Sequence, residues 1–356
     1  MRADTQALMQ GELGEWLAAQ VAMREEAKKK AFNRWFIGGI VLLPLLAFLW
    51  FVPFSLGDFK IILSALAVMA VSGWGYMPIN AAKRKMKVGI NSAIARQFGI
   101  AYEHDLTPGG EWEAACTYGL VPGCDRSSFE DRWFGELEGH DFELYEAHLE
   151  ERRGSGKNRR WVTVFRGAVI QMRFGRNFHS TTLLQRKGKH KKFWGFGGRA
   201  DHVTFRGHRL DYVDQVHPDF EDVFEVWSDD QVEARVLIHP TYVEHLLALE
   251  RAFHGDAVRA LFSRGEVIVA VQSGNLFESG SMKAEDDERM VARAAEQFGA
   301  MARLALAINQ NERGRVLGDK REDEAEGPAG GIGAVREQAV IAARNAQPRQ
   351  YPHDRY

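Results

Sequence analysis

The chain has 356 residues, 45% of them hydrophobic, and its 46 Lys and Arg nearly balance 48 Asp and Glu for a net charge of -2. That balance offers no strongly basic field for a nucleic-acid backbone, so nucleic acid is excluded as an expected partner. Two cysteines in C-x7-C spacing, Cys116 and Cys124, match neither a disulfide scaffold nor a common zinc pattern, and the sequence predicts two ordinary buried thiols.

Taken in chain order, residues 5–33 predict a helix, because Met9, Leu13, Trp16, Leu17 and Val21 recur at three- and four-residue steps. Two apolar runs follow, Trp35–Gly57 and Ile61–Ala82, with no charged residue in either and only Asp58 and Lys60 charged between them. Each is long enough to cross a hydrocarbon core as a helix, which takes about 20 residues. Pro44, Pro53 and Pro78 are tolerable there, and Trp35, Trp50, Trp74 and Tyr76 fall near the run ends, where amphipathic rings favour the lipid–water boundary. The first run starts too late and is too long for a cleaved signal peptide. Arg24, Lys28, Lys29, Lys30 and Arg34 precede the first run, and Lys83, Arg84, Lys85 and Lys87 follow the second, whereas the connector has Lys60 alone. Cytoplasmic loops carry the excess of Lys and Arg, so both termini and the main domain are expected on the cytoplasmic side of the membrane.

Past Lys83 the helix is expected to continue as a stalk to about Phe98, and Pro108-Gly109-Gly110 marks a turn into the globular part. Strands are predicted at Phe134–Leu137 and Phe142–Leu149 around a Gly139-His140 turn, then at Trp161–Phe174, where Ile170, Met172 and Phe174 alternate with polar residues. Gly167 inside that strand predicts a bulge or a close backbone approach. Further strands are expected at Leu210–Val213 and Val223–Trp227. Ser228-Asp229-Asp230-Gln231 reads as a capping box for a short helical turn through Ala234. His239-Pro240-Thr241 opens a helix with Tyr242, Leu246, Leu249 and Phe253 on one face. Ser263-Arg264-Gly265-Glu266 turns a hairpin, and a closing helix over 284–308 should bury Met290, Ala294, Phe298, Met301, Ala305 and Ile308. Residues 311–356 lose all apolar period and are expected to be a disordered tail.

The motifs that would carry chemistry fail on context. Gly195-Phe196-Gly197-Gly198-Arg199-Ala200 fits G-x-G-x-x-A only superficially, since strand-like sequence follows it instead of a helix, and no phosphate-binding G-x-x-x-x-G-K-[ST] exists. His239 and His245 straddle a proline and cannot share a helical face as paired ligands do. Asp229-Asp230 is explained by capping, Ser155 lacks a strand-to-helix elbow, and Ser279 is one position too far from Lys283 for S-x-x-K. No cofactor, metal or catalytic residue is therefore expected. Two basic loops remain: Arg152, Arg153, Lys157, Arg159 and Arg160 in one, Arg186, Lys187, Lys189, Lys191 and Lys192 in the other, both read as lying at ends of neighbouring strands. They are either solvated hairpin tips or contacts for anionic headgroups or an acidic partner.

Phe224-Glu225-Val226-Trp227-Ser228-Asp229-Asp230-Gln231-Val232-Glu233-Ala234-Arg235 with Pro240, together with Phe165-Arg166-Gly167, Leu120-Val121-Pro122 and Gly135, resembles the bacterial domain-of-unknown-function family 3137. The resemblance covers roughly residues 20–310 and includes the basic-flanked double span. It implies a membrane-tethered cytoplasmic α+β domain and transfers no catalytic residues. The expected layout is a lead-in helix (1–34), a two-helix transmembrane hairpin (35–82), a helical stalk (83–98), a cytoplasmic α+β domain of antiparallel strands with two or three helices (99–310), and the tail (311–356). The expected function is a membrane-tethered binding or scaffold domain that contacts anionic lipid or a partner protein. The alternative is a membrane-bound enzyme without a recognisable motif, which a deep polar pocket with perturbed carboxylates or histidines would favour.

Overall fold

The computed structural model describes residues 9–51, 57–137, 140–173, 178–187, 200–214, 223–238 and 240–313. The expected tail beyond residue 313, the glycine loop at 195–199 and the turn at Gly139 lie outside these residues. Two compact units divide the chain: one from residues 1–93 and 277–296, the other from residues 94–276 and 297 onward.

The first unit is helical. Helix α1 (Glu12–Ala19) buries Leu13 and Leu17, and after a break at Gln20 helix α2 (Val21–Phe51) runs unbroken through the basic stretch into the apolar run. The chain turns at Gly57, which takes a positive φ of 47°, and helix α3 (Phe59–Gln97) returns. Both helices are long and apolar enough to cross a membrane. Phe36, Ile40, Leu43, Phe48 and Met69 on them are more than half exposed, a density of bare apolar surface that water penalises and hydrocarbon does not. Small residues let the two helices approach: a Cβ added at Gly38 would run into the Val71 side chain, and one at Gly75 into the Trp35 ring. The Trp35 indole N–H donates to the Ser72 carbonyl at 3.3 Å, and that of Trp50 to Ser64 Oγ at 3.2 Å.

The polar end of this unit is tied by buried side chains. Arg24, 1% exposed, donates to Asp287 through two N–H groups at 2.9 and 2.6 Å. Asn91, fully buried, donates to the Phe277 carbonyl at 3.3 Å and accepts from Ser279 Oγ at 2.8 Å. Lys87 Nζ reaches Glu278 at 2.8 Å. Each bond satisfies a group whose burial would otherwise cost about 1–3 kcal/mol.

The second unit is an antiparallel sheet of ten strands in the order β1-β2-β3-β4-β10-β9-β5-β8-β7-β6. The strands are β1 (Ala101–Asp105), β2 (Arg126–Leu137), β3 (His140–Arg153), β4 (Arg160–Arg173), β5 (Thr182–Arg186), β6 (His202–Phe205), β7 (His208–Tyr212), β8 (Phe224–Ser228), β9 (Asp256–Ser263) and β10 (Glu266–Gln272). Helices α4 (Gly110–Thr117), α5 (Gln231–Leu237), α6 (Pro240–Ala252) and the C-terminal part of α7 (Asp287–Arg313) complete it. The α+β expectation holds.

Local chemistry accounts for the turns and registers. Arg264 and Gly265 have φ of 55° and 76°, the left-handed pair that a two-residue hairpin turn needs, and they pin Ser263 opposite Glu266. Gly167 is a close approach: a Cβ there would strike the Val271 carbonyl of β10. One sheet face packs Tyr145, Leu149, Phe165, Val169, Leu183, Trp227 and Leu261 beneath Leu120 and Val121. The other face stacks Trp133 on Phe298 of α7 with centroids 5.2 Å apart. Tyr242, Leu246 and Leu249 of α6, and Phe253 just past its end, are all buried, as their spacing predicts. On α7 Ala294, Phe298 and Met301 are buried as expected, Met290 is only half-buried beside the buried Val291, and the side chains of Ala305 and Ile308 lie outside the described ones.

Two local expectations need correction. The cap of α5 is Asp230, whose side chain accepts from the Val232 and Glu233 N–H groups; Ser228, fully paired into β8, is not the cap. Its hydroxyl instead accepts from the Asp230 N–H and contacts Thr182 Oγ1 at 2.8 Å. The cysteines are exposed rather than buried, because α4 turns Glu111 and Ala115 inward and Cys116 outward, and Cys124 lies in an exposed loop.

Candidate functional site

The first basic loop is the tip of the β3–β4 hairpin. Arg152, Arg153, Arg159 and Arg160 are exposed around a single 3-10 turn at Gly156–Asn158 that contains Lys157. Asp125 Oδ2 accepts from the Arg152 backbone N–H at 2.6 Å, and Arg153 pairs with Glu151 at 2.8 Å, both groups exposed. Trp161, 42% exposed, lies beside the tip with the Arg126 guanidinium 4.1 Å over its ring. An aromatic ring next to arginines suits a boundary that is apolar on one side and anionic on the other.

The second loop does not join the first. Strands β10 and β9 stand between β4 and β5, so the two loops are not on neighbouring strands. Arg186, at the end of β5, is ion-paired with Glu250 of α6 and stacks on Phe224 with its guanidinium 5.0 Å from the ring centroid. Lys187 is exposed, and Lys189, Lys191 and Lys192 lie outside the described residues.

A second polar site, missed by the sequence, lies on one face of β1 to β4. In β2 a bulge between Glu130 and Trp133 sets two residues, Asp131 and Arg132, against the gap in register. Strict alternation would put Phe129, Asp131 and Trp133 on one face. The bulge instead sends Phe129 to the Tyr145 side and Trp133 to the Phe298 side. Asp131, at φ 60°, is fully buried between them. Its Oδ1 accepts from Tyr102 Oη at 2.6 Å and lies 3.0 Å from His104 Nδ1, both on β1. Glu130 is directly opposite Glu146 of β3. Glu146, fully buried, accepts from Arg166 Nε at 3.0 Å and from the Leu276 N–H at 2.8 Å. Arg166 also donates to Asn275 Oδ1 at 2.6 Å and stands 3.5 Å from Glu130. Burial pushes the Glu146 carboxyl up from 4.5 to about 7, against the lowering by Leu276 and Arg166.

The ligand atoms of His104, Glu130 and Asp131 all fall within 4.8 Å of one another, so these three could hold a metal ion. No local motif exposes them, since His104 and Asp131 belong to different strands. The one signal is the aspartate between two large aromatics in a strand of otherwise regular period. A separate cavity of about 200 Å³ is lined by Asp141, Phe142, Glu143, Gln171, Arg173 and Glu266. Its polar groups largely engage one another, as in Arg173–Asp141 at 3.0 Å and Gln171–Glu266 at 2.8 Å.

The remaining sequence candidates are structural. Asp229 Oδ1 accepts from the Thr181 N–H at 2.7 Å, and Glu233 accepts from the N–H groups of His179 and Ser180. The Phe224–Arg235 stretch thus uses its acids to hold the chain entering β5 and to cap α5.

Residues 163–310 match the family described as "Protein of unknown function (DUF3137)". Among solved structures the chain is similar to the mycobacterial trehalose monomycolate transport factor A, TtfA, at 12% identity and a TM-score of 0.31, over 61% of this chain and 97% of that one. A comparison with curated proteins finds no match.

Proposed function

We propose that this chain, whose residues 163–310 match the DUF3137 family of unknown function, is a membrane-tethered binding protein. In this reading α2 and α3 span a bacterial inner membrane as a hairpin. The termini and the sheet domain are cytoplasmic, and the β3–β4 tip contacts anionic headgroups. The observation that carries it is the bare apolar surface of two helices, 31 and 39 residues long, each with a basic flank. A Lys or Arg near an anionic leaflet gains about 1 kcal/mol, so a few of the tip arginines are enough to orient the domain. Arg186 is left out of this surface because Glu250 already neutralises it.

Topology is tested first, with single cysteines replacing Lys60 or Arg159 in a background where Cys116 and Cys124 are alanine. An impermeant thiol reagent on intact spheroplasts should label position 60 and leave position 159 unlabelled; the reverse pattern sinks the orientation. The lipid contact is tested with the full chain in neutral nanodiscs mixed with anionic or neutral vesicles. Capture by anionic vesicles alone, weakened by salt and lost when Arg152, Arg153, Arg159 and Arg160 become Glu, is the expected result. Equal capture by neutral vesicles would return the tip to a solvated hairpin end.

Catalysis is the second reading, and Glu146, with a carboxyl near neutrality, is what favours it. Both its oxygens are committed to Leu276 and Arg166, so it serves better as a brace than as a proton carrier.

A further inference from the structure

We propose that His104, Glu130 and Asp131 form a binding site for one divalent cation of the zinc class. The inference goes beyond the membrane reading and does not depend on it. Two observations support it.

The donor set is one imidazole nitrogen and two carboxylates, with ligand atoms within 4.8 Å of one another. A tetrahedral ion with bonds of about 2.0–2.2 Å needs its donors roughly 3.3–3.5 Å apart, so small side-chain adjustments bring all three into range. The fourth position faces outward, since the side chains of His104 and Glu130 are 18% and 33% exposed while Asp131 is fully buried.

The surroundings are those of a ligand carboxylate. Tyr102 Oη donates to Asp131 Oδ1 at 2.6 Å and fixes its orientation, the role that outer hydrogen bonds play around ligating groups. The imidazole discriminates among ions: magnesium and calcium prefer all-oxygen shells, whereas zinc and its neighbours accept nitrogen. Ligation through Nδ1 takes the neutral tautomer with its proton on Nε2, so a proton resting on Nδ1 in the metal-free ring is given to water while Nε2 takes one from water, and the ring stays neutral.

The competing arrangement is a plain hydrogen-bonded triad in which His104 Nδ1–H donates to Asp131. The experiment uses the full chain in detergent, with Cys116 and Cys124 replaced by serine so that surface thiols hold no metal. After stripping with a chelator, the protein is titrated with zinc chloride, with cobalt chloride and with excess magnesium chloride, and bound metal and thermal midpoint are measured. One zinc per chain, a rise in midpoint, and no competition from magnesium are expected. His104→Ala and Asp131→Asn should each weaken zinc binding at least 100-fold, and Tyr102→Phe, which keeps every ligand, about tenfold. Both ligand variants should keep the metal-free midpoint close to that of the parent, which shows that they fold. The visible spectrum of the cobalt form should change in Tyr102→Phe and vanish in His104→Ala. Absence of stoichiometric zinc, or zinc binding that His104→Ala and Asp131→Asn leave intact, would overturn the site.

Discussion

Arg24 and Asp287 in the helical unit, and Asp131 and Glu146 in the sheet unit, are all charged groups removed from water, but they are accommodated in opposite ways. Arg24 and Asp287 form a closed two-body pair, a guanidinium fork on a carboxylate at 2.9 and 2.6 Å. That geometry repays much of the desolvation that burying both charges costs. In the sheet unit Glu130, Asp131 and Glu146 gather on one face, where Arg166 lies against Glu130 and Glu146, and His104 against Asp131. A balanced pair of this kind fixes two segments of chain and leaves no net charge between its members to neutralise. One imidazole and two carboxylates brought together from different strands are a ligand set and not a closed pair, so the kind of donor, more than burial itself, separates a brace from a candidate site.

The sharpest way to break the comparison is to remove one member of the balanced pair. Arg24→Ala should lose about 3–5 kcal/mol in urea unfolding of the detergent-solubilised protein, because Asp287 is left buried and alone. Arg24→Met with Asp287→Leu should recover most of that loss. Asp230→Ala offers the exposed counterpart, a carboxylate that caps α5 through two N–H groups; about 1 kcal/mol should go, with a loss of helical signal confined to α5. Asp131→Asn deletes a fully buried charge, as Arg24→Ala does, yet should lower the metal-free unfolding free energy by less than about 1 kcal/mol, since the amide oxygen can still accept from Tyr102. A loss as large as that of Arg24→Ala would erase the distinction. The smallest effect is expected for Cys116→Ala with Cys124→Ala, within about 0.5 kcal/mol now that both thiols are exposed.

The hairpin of long helices was legible because an uncharged run of this length is a signal that no neighbour can override. Strand β4, the β9–β10 turn and the buried face of α6 were legible for a similar reason: alternation, Arg264-Gly265 and three- to four-residue spacing act within a few residues. What the sequence hid depends on contacts between distant segments. Ser228 looked like a cap because nothing local reveals that Thr182 holds its hydroxyl in the sheet. Arg186 looked free because Glu250 comes from a helix far along the chain. His104 and Asp131 meet only through the β1–β2 register, and the bulge that buries Asp131 breaks the very period by which strands are read.

One strand edge carries a further consequence. Strand β10 accompanies β4 only from Gly167 to Arg173, so from Arg160 to Phe165 no strand among the described residues pairs with that side of β4. Its peptide groups there form a template onto which an extended segment of another molecule could add by backbone hydrogen bonds. Arg159 and Arg160, at the open end, make such an addition unfavourable between identical copies, because each copy would set its arginines against those of the other. Chains in which these arginines are replaced by threonine or valine should therefore tend toward intermolecular sheet, and their fault would lie in association between folded molecules, with the fold of each one intact.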